Sequence, residues 1–191
     1  MALPSLLLGI LLFQGPGDGW VLVPDTRQVK KLYWDLFQTT EIWVRLIPED
    51  PAGKPPLVSL IFQAYFPGRA ERDPYTGQPR DPKGPPSKLV LRAQPLPMTY
   101  VSQLTLKLVI DGKTVDLAAP GAAYQYLSPC QECAANAIMA DIDAALLRSL
   151  VTAQAVKGEA LGFPIRLTAE DERALAEFAE RVGVTGAAVS R

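Results

Sequence analysis

Histidine is absent from the 191 residues, and cysteine occurs only twice. Without imidazole there is no Ser-His-Asp or Cys-His catalysis, no histidine metal ligand and no imidazole pH switch. A surplus of one charge is missing too, with 19 Lys and Arg against 20 Asp and Glu and a formal net charge of -1. That balance gives no broad positive field for tracking phosphates, so nucleic acid is not expected as a partner. It also argues against electrostatic steering toward anionic lipid as the main recognition device. No apolar run reaches the ~20 residues of a membrane-spanning helix, so no integral span is expected. The G-x-S-x-G, G-x-x-x-x-G-K-[ST] and G-x-G-x-x-G motifs do not occur.

Proline is plentiful, at 18 residues. With 14 glycines it still stays below the ~25–30% that marks disordered chains. The composition fits a folded domain with stiff loops. Residues 1–13 (MALPSLLLGILLF) form an apolar run of secretory-signal length, closed by Gly15-Pro16-Gly17-Asp18-Gly19. We read residues 1–19 as a leader and residues 20–191 as one strand-rich domain, secreted or periplasmic. No basic residue precedes the apolar run, and a buried strand or short helix over residues 6–13 is the competing reading. The Ala-, Leu- and Arg-rich composition gives the impression of a bacterial protein.

Alternation organises residues 20–127. Ile42, Val44 and Leu46 share one face of a half-buried strand, with Glu41, Trp43 and Arg45 on the other. Residues 57–66 (LVSLIFQAYF) are apolar on both faces and read as a central strand. Residues 88–92 give a further short strand. Over residues 100–110, Leu104, Leu106, Leu108 and Ile110 face one way and run into Asp111-Gly112, a pair suited to a type I′ hairpin turn. Val115 and Leu117 lie on the returning strand. Residues 128–191 read as helix, hairpin, helix. The first helix spans residues 140–154, capped by Asp141 or Asp143, and the hairpin pairs residues 155–161 with 163–167. Thr168 and Asp171 resemble a capping box before a helix that buries Leu175, Phe178, Ala179 and Val182, with Gly183 at its C′ position. The fold class is therefore α+β: an antiparallel β-sandwich-like sheet with two C-terminal helices and a short hairpin packed on it.

Three features bear on function. The loop over residues 67–87 carries prolines at 67, 74, 79, 82, 85 and 86 and is long for a compact domain, a property of functional or variable loops. Its candidate binding residues are Arg69, Arg72, Tyr75 and Arg80, with Tyr75 as an aromatic anchor. Cys130 and Cys133 form the second feature. They read first as a local disulfide of an exported protein. The alternative is a thiol–disulfide oxidoreductase in which Cys130 attacks and Cys133 resolves, with a helix over residues 134–139 lowering the thiol pKa. A reduction potential below about -300 mV marks the inert bond, and one between about -120 and -270 mV the enzyme. Two thiolates with no further Cys or His do not complete a zinc site, so no metal and no cofactor are expected. The third feature is the carboxylates, Asp141, Asp143, Glu170, Asp171 and Glu172, which sit where helix N-termini favour acids and need no catalytic explanation. The function read from these residues is a non-catalytic exported module binding an unknown protein or small-molecule ligand. A carrier with an aromatic-lined cleft is a further possibility, and the enzyme reading ranks below binding.

Overall fold

The computed structural model describes residues 12–14, 20–22, 27–75, 80–96, 101, 103–118, 123–126 and 137–184, with backbone alone for 12–14, 20–22 and 123–126. It is an α+β architecture in which antiparallel sheets dominate. Two short strands, β1 (Leu12–Gln14) and β2 (Trp20–Leu22), pair with Phe13 opposite Val21. The rest of residues 1–19 lies outside the described residues.

The larger sheet has six strands. They are β3 (Lys30–Trp34), β4 (Thr39–Leu46), β5 (Val58–Pro67), β6 (Lys88–Pro95), β9 (Ala123–Tyr126) and β10 (Ala137–Ile142). Their spatial order is β3-β4-β5-β6-β10-β9. As the apolar pattern predicts, β5 is central, with Phe62 opposite Val44 on one side and Leu91 on the other. The smaller sheet comprises β7 (Leu106–Ile110), β8 (Lys113–Asp116), β11 (Val156–Ala160) and β12 (Phe163–Arg166), in the order β12-β11-β7-β8.

Both hairpins of the smaller sheet turn where their sequence demands it. Asp111 and Gly112 have φ of 48° and 84°, and Leu161 and Gly162 have 56° and 81°, the two consecutive positive values of a type I′ turn. The Asp111 carboxylate also accepts from the backbone N–H groups of Gln154 (2.9 Å) and Ala155 (3.1 Å), tying this turn to the start of β11. Gly158 lies where β11 meets β7, and a Cβ there would stand 2.0 Å from the Lys107 carbonyl oxygen. Only glycine fits at that approach. The hairpin over residues 155–167 thus extends the β7–β8 ladder.

Two helices complete the fold, α1 (Ala144–Thr152) and α2 (Ala169–Arg181). One contiguous apolar core joins Val44, Leu60 and Phe62 of the large sheet, Leu106 and Leu108 of the small sheet, Leu147 of α1, and Leu175 and Phe178 of α2. The Phe62 and Phe178 rings lie 6.2 Å apart at 52°, a tilted pair worth about 0.5–1.5 kcal/mol beyond its burial. The Thr168–Asp171 capping box forms, and Gly183 adopts a φ of 73° while Val184 N–H closes on Ala179 O at 2.8 Å.

Four expectations are corrected. The first helix does not begin at Ala140: residues 137–142 complete β10, where Ile138, Ala140 and Ile142 alternate toward the core and pair with β6, and the helix starts only after its N-cap Asp143. The same strand replaces the helix expected over residues 137–139 downstream of Cys133. Leu104 precedes β7 and is exposed, because the strand begins only at Leu106. Finally, β4 is not half-buried, since Glu41 and Arg45 on its second face are also buried, Arg45 to 1% exposure. Cys130 and Cys133 lie outside the described residues. They fall in the connection between β9 and β10, whose ends are paired as Tyr126 opposite Ala137.

Candidate binding surface at the loop end of the sheet

Antiparallel pairing gathers the candidate residues at one end of the large sheet. The β3–β4 turn lies there, and so does the β5–β6 loop, because Thr39 pairs with Pro67 and Tyr65 with Lys88. The end of β10 and the start of α1 reach the same place through the Ile142–Leu89 pairing.

The long loop is fastened to its neighbours at named points. Gly68 N–H donates to Gln38 O at 2.7 Å, the Thr40 hydroxyl donates to Gly68 O at 2.8 Å, and Ala70 N–H donates to that hydroxyl at 3.0 Å. Arg80 closes its middle, with its N–H on Glu71 O at 2.7 Å and its guanidinium on Asp73 at 2.7 Å. Asp81 fastens the second half: it accepts from Lys31 at 2.6 Å and from the Arg181 guanidinium at 3.1 and 3.2 Å. Burial alone would raise the Asp81 carboxyl pKa, but the hydrogen bonds and charges of Arg181 and Lys31 outweigh it and hold the group below its ordinary value.

Behind this end lies a polar row on the second face of the sheet. The Glu41 carboxylate accepts from Trp34 Nε1 and from Gln63 Nε2, each at 2.6 Å. Tyr65 stands opposite Glu41, and its phenol is pushed far above the usual value by burial and by the Glu41 charge, with Arg92 opposing in part. It therefore remains a protonated donor at any ordinary pH. Trp43, on the same face of β4 as Glu41, is half-buried.

The sequence-derived binding residues divide between two roles. Arg69 lies 5.0 Å over the Tyr33 ring, a cation–π contact that orients its guanidinium. Tyr75 is 95% exposed. Arg72 is exposed on the same loop. Arg80 instead clamps the loop to itself through Asp73.

Sequence reasoning missed Leu36 and Phe37, at the tip of the β3–β4 turn and 79% and 48% exposed. Their signal was two large apolar residues at turn positions, between the Lys30–Trp34 and Thr39–Leu46 strands, where polar or small residues normally stand. A cleft of about 520 Å³ also opens at this end, with Pro85, Lys88, Asp141, Arg148 and Val184 among its walls. Lys88 and Asp141 pair across it at 3.0 Å. Among the described residues of its walls there is no aromatic one, unlike the lining expected of an aromatic-lined carrier. No helix among the described residues is long and apolar enough to cross a membrane.

These features define an antiparallel α+β chain with an apolar-tipped, loop-rich surface at one sheet end. Comparison with protein-family models, with curated proteins and with solved structures finds no match to it.

Proposed function

We propose that this chain is a non-catalytic binding or interaction module, working outside the cytoplasm, whose recognition surface is the loop end of the six-stranded sheet. One observation carries the reading. Of the five large hydrophobic residues exposed among the described residues, Leu36, Phe37 and Tyr75 all sit on the two connections of this end. Exposed apolar residues gathered on neighbouring connections mark interaction sites. The fastened loop adds pre-organisation, since a loop held by Gly68, Arg80 and Asp81 has less conformational freedom to lose on binding. The leader-like residues 1–19 support export.

A photoreactive side chain placed at position 36, 37 or 75 in the native host is expected to form a discrete adduct that Arg69→Glu weakens. The same group at Thr114, exposed on the edge strand β8, is expected to form none. Equal adducts at 36, 75 and 114, or none at any, would refute the recognition surface. The redox alternative rests on Cys130 and Cys133 alone, and their reduction potential separates it from this reading.

A further inference from the structure

We infer that the loop end docks on an anionic lipid surface, with Leu36 and Phe37 entering the acyl boundary, Tyr75 at headgroup depth and Arg69 facing the lipid phosphates. The inference deepens the recognition-surface reading and rests on it.

Its first support is the chemistry of the turn. A tip that enters a low-dielectric layer must bring few unsatisfied polar groups with it. In the 35–38 turn, Asp35 O accepts from Gln38 N–H at 3.3 Å and from Gln38 Nε2 at 2.8 Å. Phe37 O accepts from the Thr39 hydroxyl at 2.9 Å, and Gln38 O from Gly68 N–H at 2.7 Å. The carbonyls of Asp35, Phe37 and Gln38 are thus already satisfied from within.

The second support is local charge. Residues 30–38 and 67–88, with Asp141 that pairs with Lys88 at this end, together carry seven basic and five acidic side chains, within a chain whose overall balance is slightly acidic. Four of those acids are engaged by bases: Glu71 with Lys83 at 3.5 Å, Asp73 with Arg80 at 2.7 Å, Asp81 with Lys31 at 2.6 Å, and Asp141 with Lys88 at 3.0 Å. Arg69 pairs with no carboxylate among the described residues and is held outward by Tyr33. Basic side chains beside apolar tips are the combination that anionic interfaces attract, and tyrosine favours the headgroup level. The near-neutral whole chain conceals this asymmetry. The apolar groups also project as separate points on two loops, which suits a planar acceptor better than an extended peptide, whose recognition uses a groove or a free strand edge.

Sedimentation with vesicles of phosphatidylcholine, with and without phosphatidylglycerol, tests the inference on the full chain. We expect partitioning onto the anionic vesicles that falls as salt rises. Leu36→Asp with Phe37→Asp should reduce it about tenfold or more, and Arg69→Glu several-fold, with circular dichroism and melting unchanged. Asp35→Asn, which removes the acid beside the tip, should strengthen it. In Phe37→Trp, emission should be quenched by brominated acyl chains. No partitioning, equal partitioning onto both vesicle types, or retention by the double variant overturns the lipid assignment. If photo-adducts at 36 and 75 persist while vesicle binding fails, the recognition surface stands and its partner is a protein. If both fail, the recognition surface falls as well.

Discussion

The two ends of the six-stranded sheet are built on opposite principles. At the end where α2 begins, Asp171 is wholly buried, and its carboxylate accepts from Thr168 N–H (3.0 Å), the Thr168 hydroxyl (2.9 Å), Ile47 N–H (3.1 Å) and Arg27 Nε (2.6 Å). Arg27 also reaches Glu170 and Ile47 O, and Glu49 pairs with Arg166 across an isolated bridge. At the loop end, Asp81 ties the long loop back to Lys31 and Arg181 with a carboxylate still partly in solvent, while Leu36, Phe37 and Tyr75 are exposed. One end concentrates stability, and the other leaves apolar surface available at little structural expense. The Asp171 cluster and the exposed Leu36, Phe37 and Tyr75 thus lie at opposite ends of one sheet.

The largest effect should come from the locked end. Asp171→Ala leaves Ile47 N–H and Thr168 N–H without their acceptor and strips Arg27 of its buried partner, so unfolding free energy should fall by about 3 kcal/mol, read from the denaturant midpoint. A loss no greater than that of Asp81→Asn would erase the contrast between the ends. For Asp81→Asn we expect less than about 1 kcal/mol globally, as for other partly exposed ion pairs, with faster amide exchange confined to residues 80–87.

Acid should mimic that second variant. The folded-state pKa of Asp81 lies below its ordinary 3.8, so its stabilising contribution is fully present above about pH 4 and is lost as pH falls through the lower folded-state value. Protection factors in residues 80–87, with exchange corrected for its intrinsic pH dependence, should therefore fall below about pH 4 in the native chain and stay level in Asp81→Asn. The smallest stability effect belongs to Leu36→Ser with Phe37→Ser, expected within about 0.5 kcal/mol because both side chains already face water. A loss well beyond that would show the tip to be packed, and the two ends to be alike.

Much of the fold was legible because period and turn chemistry agreed. Residues 57–66 matched β5 to within one residue, Asp111-Gly112 marked its turn, and Thr168 with Asp171 marked a real helix start. The stretch around residues 137–142 was not legible, because Ile138 and Ile142 lie four apart and satisfy helical and strand spacing equally, while Met139 and Ala140 between them favour helix. Only pairing with β6 decides it, and that is a tertiary fact. The burial of Glu41 and Arg45 was hidden for a similar reason, since alternation of apolar and charged residues reads as half-solvated unless the second face is known to be covered. Within the candidate surface, Arg69 and Tyr75 were visible as residue types in a long loop. Leu36 and Phe37 were not, because their exposure depends on where β3 stops and β4 begins.

The contact between Arg27 and Asp171 joins residues 144 positions apart. During synthesis, the amide at Ile47 and the guanidinium of Arg27 wait for an acceptor that is made 124 and 144 residues later. The locked end is therefore the last part of the sheet that can close, and an emerging chain should remain loose there however well β4 and β5 have already paired.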